Sequence, residues 1–318
     1  MAGEISNPIP AQPPGFLLKR LLVLFLIPIV PMVLSCAGTK DSGKSSMTPA
    51  GCLRDPGCKR VMVAAHRGYH TGSFPENSLA AFRAAAELGV DLIEVDVRHT
   101  ADDHLVLMHN SSVDATTDGT GEVSDLTLEE IQKLTLKGAD PNNPETQHVP
   151  LFSQALALAR EYSIMLYVDK KTERWDLVLA EIKKGDYFDQ ALVRDSSSSV
   201  LGEMSAKEPR LMVMPSIGSS LGIDKLKEDL PGLCIVEVSH DGPWPAMNQA
   251  LKAAGLKIQQ DVLGYGDDQA ETGDYSAWKD YIDKGVNLLQ TDWPQFLCPA
   301  VKEYNKTGKF PENGPGVH

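Results

Sequence analysis

The chain has 318 residues, 42% of them hydrophobic and 23% charged, and a formal net charge of −13. That is an ordinary globular balance with apolar material for a large core. The lack of any basic run argues against nucleic acid as a partner, because nothing is available to neutralise its phosphates. A small anionic substrate stays open, since the charges inside a site decide local binding rather than the net charge.

Lys19 and Arg20 precede an apolar run, Leu21 to Leu34, which Pro28 and Pro31 interrupt and which is short for a membrane span. Residues 1–35 therefore read as a targeting signal. Val33-Leu34-Ser35-Cys36 resembles a bacterial lipobox, with Leu34 where a smaller residue is usual. The expectation is an exported lipoprotein beginning at Cys36, anchored by lipid in a bacterial cell envelope on the periplasmic or surface side. A signal anchor or a simple cleaved peptide is the alternative. Residues 36–58 read as a flexible tether, because 37–50 are small, polar and without apolar periodicity. Export would permit a disulfide between Cys52 and Cys58. No further cysteine or histidine nearby completes a zinc set around them. Cys234 and Cys298 sit in apolar contexts and read as buried free thiols.

The segment Val61 to Ala65 is a short apolar run of the kind that forms a strand buried on both faces, and it delivers His66, Arg67 and Gly68 at its end. A helix pattern follows, with Asn77 or Ser78 as N-cap, Leu79, Phe82 and Ala86 on one face and Gly89 as the stop. The chain then re-enters a strand, Leu92 to Val97. Side chains alternate along a strand, so Glu94 and Asp96 share one face. Two carboxylates inside an apolar strand are costly to desolvate unless a cation or a basic side chain sits with them. By itself the pair is equally compatible with a salt bridge at a strand end.

Asp102 and Asp103 make a turn, and Leu105 to Met108 form a short strand that presents His109. Residues 110–150 are polar and turn-rich, far too long for an ordinary connection, and must carry their own small structure or form a lid. Thr127 and Glu130 make a capping box within that stretch. Asp118-Gly119-Thr120-Gly121 lacks the strand-to-helix placement and the lysine of a phosphate loop and reads as a turn. After Pro150 a helix from about Ser153 leads into Ile164 to Val168, followed by Asp169, Lys170 and Lys171. Further strands are expected at 191–193, 211–214, 234–238, 257–262 and 286–289. With 105–108 as a hairpin extension of the second strand, the parallel strands number eight. The fold class is α/β, a TIM (β/α)8 barrel over 59–311 with a small insertion after the second strand, then a tail over 312–318. An open doubly wound sheet competes, but no dinucleotide fingerprint supports it.

The spacing His66-Arg67-Gly68, Pro75-Glu76-Asn77, Glu94-x-Asp96 and His109 resembles the glycerophosphodiester phosphodiesterase family. Residues 114–134 and the closing Thr291-Asp292-Trp293-Pro294 are similar to segments of that family, and Asp169-x-Lys171 stands where it has Glu-x-Lys. The resemblance implies metal-dependent hydrolysis of glycerophosphodiesters to glycerol 3-phosphate and an alcohol. It implies Glu94, Asp96 and Asp169 as ligands of one hard divalent ion, Ca²⁺ or Mg²⁺; all three are oxygen donors, and the site offers no thiolate to favour zinc. Arg67 and Lys171 would bind the phosphate. His66 and His109 would serve as general base and acid, in an order that the sequence leaves open. His70, His99 and His104 occupy loop or solvent-facing positions and are set aside.

Two departures from the family pattern stand out: Asn110 replaces the usual aspartate after the second histidine, and Ala115 replaces a frequent arginine. A barrel acting on another phosphodiester (a phospholipid, a phosphoinositide or a polymer) is the alternative function, and a binding lipoprotein that has lost catalysis is the other. The expected partners are a small-molecule phosphodiester and, through the lipid anchor, a membrane; oligomeric state is not legible.

Overall fold

The computed structural model describes residues 47–70, 74–238 and 245–316. The targeting signal, Cys36 and the first part of the expected tether lie outside the described residues.

Eight parallel strands form a closed barrel among the described residues: β1 (Met62–Ala65), β2 (Leu92–His99), β4 (Met165–Lys170), β5 (Ala191–Asp195), β6 (Met212–Ile217), β7 (Ile235–Val238), β8 (Lys257–Asp261) and β9 (Leu288–Thr291). Closure comes from β1, which pairs in parallel with both β2 and β9, Ala65 lying opposite Ile93 on one side and Thr291 on the other. The ninth strand, β3 (Leu105–Leu107), runs antiparallel to the end of β2 as the expected hairpin. Helices connect the parallel strands, as a TIM barrel requires.

The period of two along each strand sorts residues into two cores. Val63, Ile93, Val95, Leu166, Val168, Val193 and Leu289 belong to the apolar layer shared with the helices. Met62, Ala64, Leu92, Met165, Tyr167, Leu192, Met214 and Leu288 pack together inside the barrel. Continuing the inward register toward the C-terminal ends gives Glu94, Asp96, Asp169, Arg194, Glu237, Asp261 and Gln290. The same alternation that fills the lumen with methionine and leucine below thus delivers charge above.

The tether expected over 36–58 needs correction in its described part. Pro49–Arg54 is a helix, started by the Thr48 hydroxyl accepting from Gly51 N at 3.1 Å. It buries Ala50, Cys52 and Leu53 against the lumen cluster and so closes the floor of the barrel. Cys52 and Cys58 are joined as a disulfide, with Cα atoms 5.4 Å apart. Lys257, the lowest inward residue of β8, donates to the carbonyls of Asp55 at 2.9 Å and Cys58 at 3.1 Å. Small polar residues read as a linker up to the point where alanine, cysteine and leucine offer a face to bury; from there the chain packs.

The insertion over 110–150 carries its own core, in which Val113, Val123, Ile131, Leu136 and Val149 pack on Val106 and Met108. Its short helix Leu128–Ile131 starts with the Thr127–Glu130 capping box. The expected tail is also partly docked: Tyr275 N donates to Glu312 O at 2.8 Å and Gly314 N to Gly273 O at 3.0 Å. No helix among the described residues is long and apolar enough to cross a membrane.

Candidate active site

All seven residues expected to bind phosphate, carry protons or ligate a metal line one cavity of about 230 Å³ at the C-terminal end of the barrel: His66, Arg67, Glu94, Asp96, His109, Asp169 and Lys171. The turn after β1 makes this possible. Arg67 and Gly68 both adopt left-handed backbone, at φ 53° and 84°. A Cβ on Gly68 would fall 2.9 Å from Ala81 and Phe82, so only glycine lets the following helix lie this close. The turn aims Arg67 N at Glu94 Oε2, at 3.1 Å. The helix Leu79–Leu88 then runs from Ser78 as N-cap to Gly89 as its left-handed C-cap. Asn77, buried and itself left-handed at φ 56°, donates through Nδ2 to Asp96 Oδ2 at 2.9 Å.

Glu94, Asp96 and Asp169 place one carboxylate oxygen each within 4.8 Å of one another. Glu94 and Asp96 are buried. Burial first, and then the charges of Asp96 and Asp169, push the Glu94 carboxyl well above the usual carboxylate range. Asp96 Oδ1 is buried without a hydrogen-bond partner. Three converging oxygen donors, one of them orphaned and another penalised for being charged, fit a hard divalent cation. Cationic side chains surround the cluster. Lys171 Nζ lies 2.6 Å from Asp169 Oδ2 and 3.5 Å from Asp96 Oδ1. Arg67 bridges Glu76 at 2.9 Å and Asp96 at 3.5 Å.

Each imidazole is oriented through Nδ1. His66 Nδ1 lies 2.7 Å from Asp292 Oδ1, and His109 Nδ1 lies 2.8 Å from Asn110 Oδ1. An acceptor at Nδ1 fixes the ring proton there in the neutral tautomer and leaves Nε2 as the reactive nitrogen. The two rings reach the cavity from separate elements, the end of β1 and the end of the hairpin strand β3. Asp292 is itself braced, since its backbone N–H donates to Asp267 Oδ2 at 2.8 Å. Asp267 also accepts from Thr291 Oγ1 and Trp278 Nε1.

Other site residues escaped the sequence reading. Arg194 on β5 donates to Glu237 Oε2 at 2.9–3.0 Å and approaches Asp169 Oδ1 at 3.5 Å, which ties the third carboxylate to the far wall of the barrel. Tyr167, Asp261 and Gln290 also line the cavity. Their inward register was the available signal. His70, set aside as a loop residue, donates from Nε2 toward Asp292 Oδ1 at 3.0 Å. His99 does sit apart, against Thr172 Oγ1 at 2.6 Å, and His104 is exposed. Cys298 is buried and Cys234 partly so, and burial pushes both thiols up to about 12.

Residues 66–273 match the family model described as the glycerophosphoryl diester phosphodiesterase family. The chain is 55% identical over 75 residues to a glycerophosphodiester phosphodiesterase of Caldanaerobacter subterraneus, which is 24% of this chain and 30% of that protein. It is 42% identical over 118 residues to glycerophosphodiester phosphodiesterase 1 of Bos taurus, 35% of this chain and 34% of that protein. The match thus spans about a third of the length of these relatives. Among solved structures, a glycerophosphodiester phosphodiesterase from Agrobacterium tumefaciens superposes with a TM-score of 0.63 at 24% identity, over 75% of this chain and 99% of that one. An Oleispira antarctica phosphodiesterase in complex with the product sn-glycerol-3-phosphate superposes at 0.61 and 22% identity, over 76% and 96%. At such identities the likeness establishes the barrel fold.

Proposed function

Since the chain belongs to the glycerophosphoryl diester phosphodiesterase family, we propose that it hydrolyses glycerophosphodiesters to glycerol 3-phosphate and an alcohol. The observation that carries this reading is the cavity in which two oriented imidazoles, three carboxylates, Arg67 and Lys171 converge. The complex of the Oleispira phosphodiesterase with sn-glycerol-3-phosphate supports the same product class.

A diester needs its anionic oxygens neutralised, its nucleophile deprotonated and its leaving alkoxide protonated. Glu94, Asp96 and Asp169 would hold one divalent ion, Ca²⁺ or Mg²⁺, which supplies positive charge beside the phosphoryl oxygens when bound. Lys171 and Arg67 add fixed cations at the same oxygens. His66 takes a proton from the nucleophile through Nε2, with Asp292 stabilising the imidazolium that results. His109 enters as the imidazolium and gives its Nε2 proton to the departing alcohol. Asn110 holds its ring through Nδ1. The roles reverse for a second step if the first leaves a cyclic phosphate. Export is part of the same reading: the leader-like segment, the cysteine at 36 and the Cys52–Cys58 disulfide support an oxidising, envelope-side location with lipid on Cys36.

The test is a panel assay of glycerophosphocholine, glycerophosphoethanolamine and glycerophosphoinositol, with and without divalent metal. Release of glycerol 3-phosphate that stops in chelator and returns with Ca²⁺ or Mg²⁺ is expected. No release from any of the three, in either metal, rejects the activity.

A further inference from the structure

A second cluster of ligating atoms lies beside the carboxylate triad, and the reaction above uses only part of it. His66, His70 and Asp292 bring two ring nitrogens and a carboxylate oxygen within 4.8 Å of one another. His66 Nδ1 and His70 Nε2 converge on the same oxygen, Asp292 Oδ1, at 2.7 and 3.0 Å. The two rings stand nearly perpendicular, at 77°, with centroids 6.2 Å apart. The side chains are 16%, 23% and 33% exposed, so all three are partly buried and still within reach of solvent. The carboxylate is ready to bind a cation. Burial alone would raise it, yet the hydrogen bonds from His66 and His70 hold it well below the usual range. Its backbone is pinned by Asp267.

Two imidazole nitrogens and one carboxylate make a different donor set from the all-oxygen triad. Nitrogen ligands select ions of borderline softness, whereas Ca²⁺ and Mg²⁺ prefer oxygen. We propose that His66 Nδ1, His70 Nε2 and Asp292 form a Zn²⁺ site, and that filling it switches the phosphodiesterase off. The first half stands on the geometry alone; the second rests on the role given to His66 above. Three ligand bonds form and the two N–H···O bonds to Asp292 break. Neutral His66 offers its Nδ1 lone pair to the ion, and its single ring proton moves through solvent to Nε2. His70 moves its proton from Nε2 to Nδ1 in the same way, so no proton is lost overall and nothing is oxidised or reduced. A water completes the fourth position usual for zinc. His66 Nε2, the ring nitrogen left for the cavity, now carries hydrogen and has no lone pair with which to accept a proton. The switch is therefore a change of tautomer, made at the nitrogen that faces away from the reaction.

The full-length protein is first saturated with Mg²⁺ to fill the triad, then titrated with Zn²⁺ by equilibrium dialysis and with Co²⁺ by visible absorption. One ion per chain should bind in competition-resistant fashion. His70→Ala, and His70→Asn as a more conservative change, should weaken that binding at least about tenfold. Glycerophosphocholine turnover by the wild type should fall as Zn²⁺ occupancy rises. Measured against its own zinc-free rate, each variant should need at least about tenfold more Zn²⁺ for half inhibition. No Zn²⁺ uptake beyond the triad, or uptake that neither variant weakens, overturns the site. Zinc held at the site with turnover unchanged overturns the switch. A wild type inactive on every glycerophosphodiester would strike at the activity itself, while dialysis and absorption still decide whether the site exists.

Discussion

Asn110 Oδ1 accepts the Nδ1 hydrogen of His109 at 2.8 Å. An amide oxygen therefore does the orienting that a carboxylate does for His66, but without a negative charge. The departure from the family's usual aspartate keeps the ring in place without setting a charge beside it. Asn110→Asp should move the alkaline limb of the pH–rate profile upward by about one unit, because an adjacent opposite charge favours the protonated ring. Asn110→Ala should lower kcat with little change in KM. A pH profile of kcat for the three proteins checks both, and an unmoved alkaline limb in Asn110→Asp rejects His109 as the acid.

Lys171 is half-buried and shared between Asp169 and Asp96. Burial works against its charge, but the hydrogen bond it donates to Asp169 and the nearby carboxylates raise its pKa on balance. A charge-assisted contact of this kind contributes about 1.5–3 kcal/mol. Lys171→Met should cost about 10- to 100-fold in kcat/KM for a phosphodiester. If Asp169 ligates an ion as proposed, the change should not weaken binding of Ca²⁺ or Mg²⁺, since it frees that carboxylate. Calorimetric titration of the ion beside steady-state kinetics separates the two, and a variant that loses the ion has its lysine in a structural role.

His66→Ala and His109→Ala should each lower turnover by about 10²- to 10⁴-fold while the fold survives. Both side chains stand at strand ends and neither belongs to an apolar cluster. Circular dichroism with single-turnover kinetics is the check; a folded variant that retains a tenth of the wild-type rate is not missing its acid or base.

Two histidines about one phosphodiester suit attack by a hydroxyl that the substrate itself carries. The vicinal hydroxyl of glycerol would give a five-membered cyclic phosphate, which water then opens with the histidine roles exchanged. An intramolecular nucleophile needs no second bound reactant, so part of the entropic barrier is met on binding. A diester of propane-1,3-diol keeps the terminal hydroxyl and lacks the vicinal one. It should bind as a competitive inhibitor and be cleaved hardly at all. Cleavage at a rate comparable with the glycerol diester leaves direct attack by water as the route.

Asp261 is half-buried, at the end of β8, and its carboxylate accepts a hydrogen bond from Gln259 Nε2 at 2.8 Å. Burial raises its carboxyl above the ordinary value, and the charge of Glu237 adds to this against the Gln259 hydrogen bond. The folded chain therefore keeps a proton that the unfolded chain has released. The stability this contributes is complete below the unfolded value, about pH 4, and is lost as pH rises through the raised folded value. Asp261→Asn preserves the acceptor from Gln259 and removes the titration. The variant should unfold at a higher temperature than wild type at pH 8 and at the same temperature near pH 4. Parallel melting curves across that range would refute the assignment.

The barrel was legible because its strands are short, apolar and evenly spaced, and because Leu105 to Met108 could be told from a ninth parallel strand by the Asp102-Asp103 turn before it. The seven residues that meet in the cavity were legible through the family resemblance that their spacing carries, since charge at strand ends was by itself equally compatible with salt bridges. Arg194, Glu237 and Asp261 share that position, but their strands carry no spaced motif, and only the inward register reveals them. His70 was missed because its partner, Asp292, is 222 residues away. The floor helix was missed because six residues with a single buried face leave too short a pattern to separate from a polar linker.

Barrel closure has a consequence for the life of the nascent chain. His66 and Asp292 are separated by 226 residues and meet only because β9 docks against β1. The ribosome delivers His66, the proposed base, near the start of the domain and the carboxylate that orients it near the end. Every intermediate length, and every product of a proteolytic cut in between that releases the last strand, has the imidazole without its partner. Competence is therefore conferred late and all at once, by the same long-range pairing that makes such folds slow to complete. On the proposed reading, the site stays incomplete until the last strand is in place.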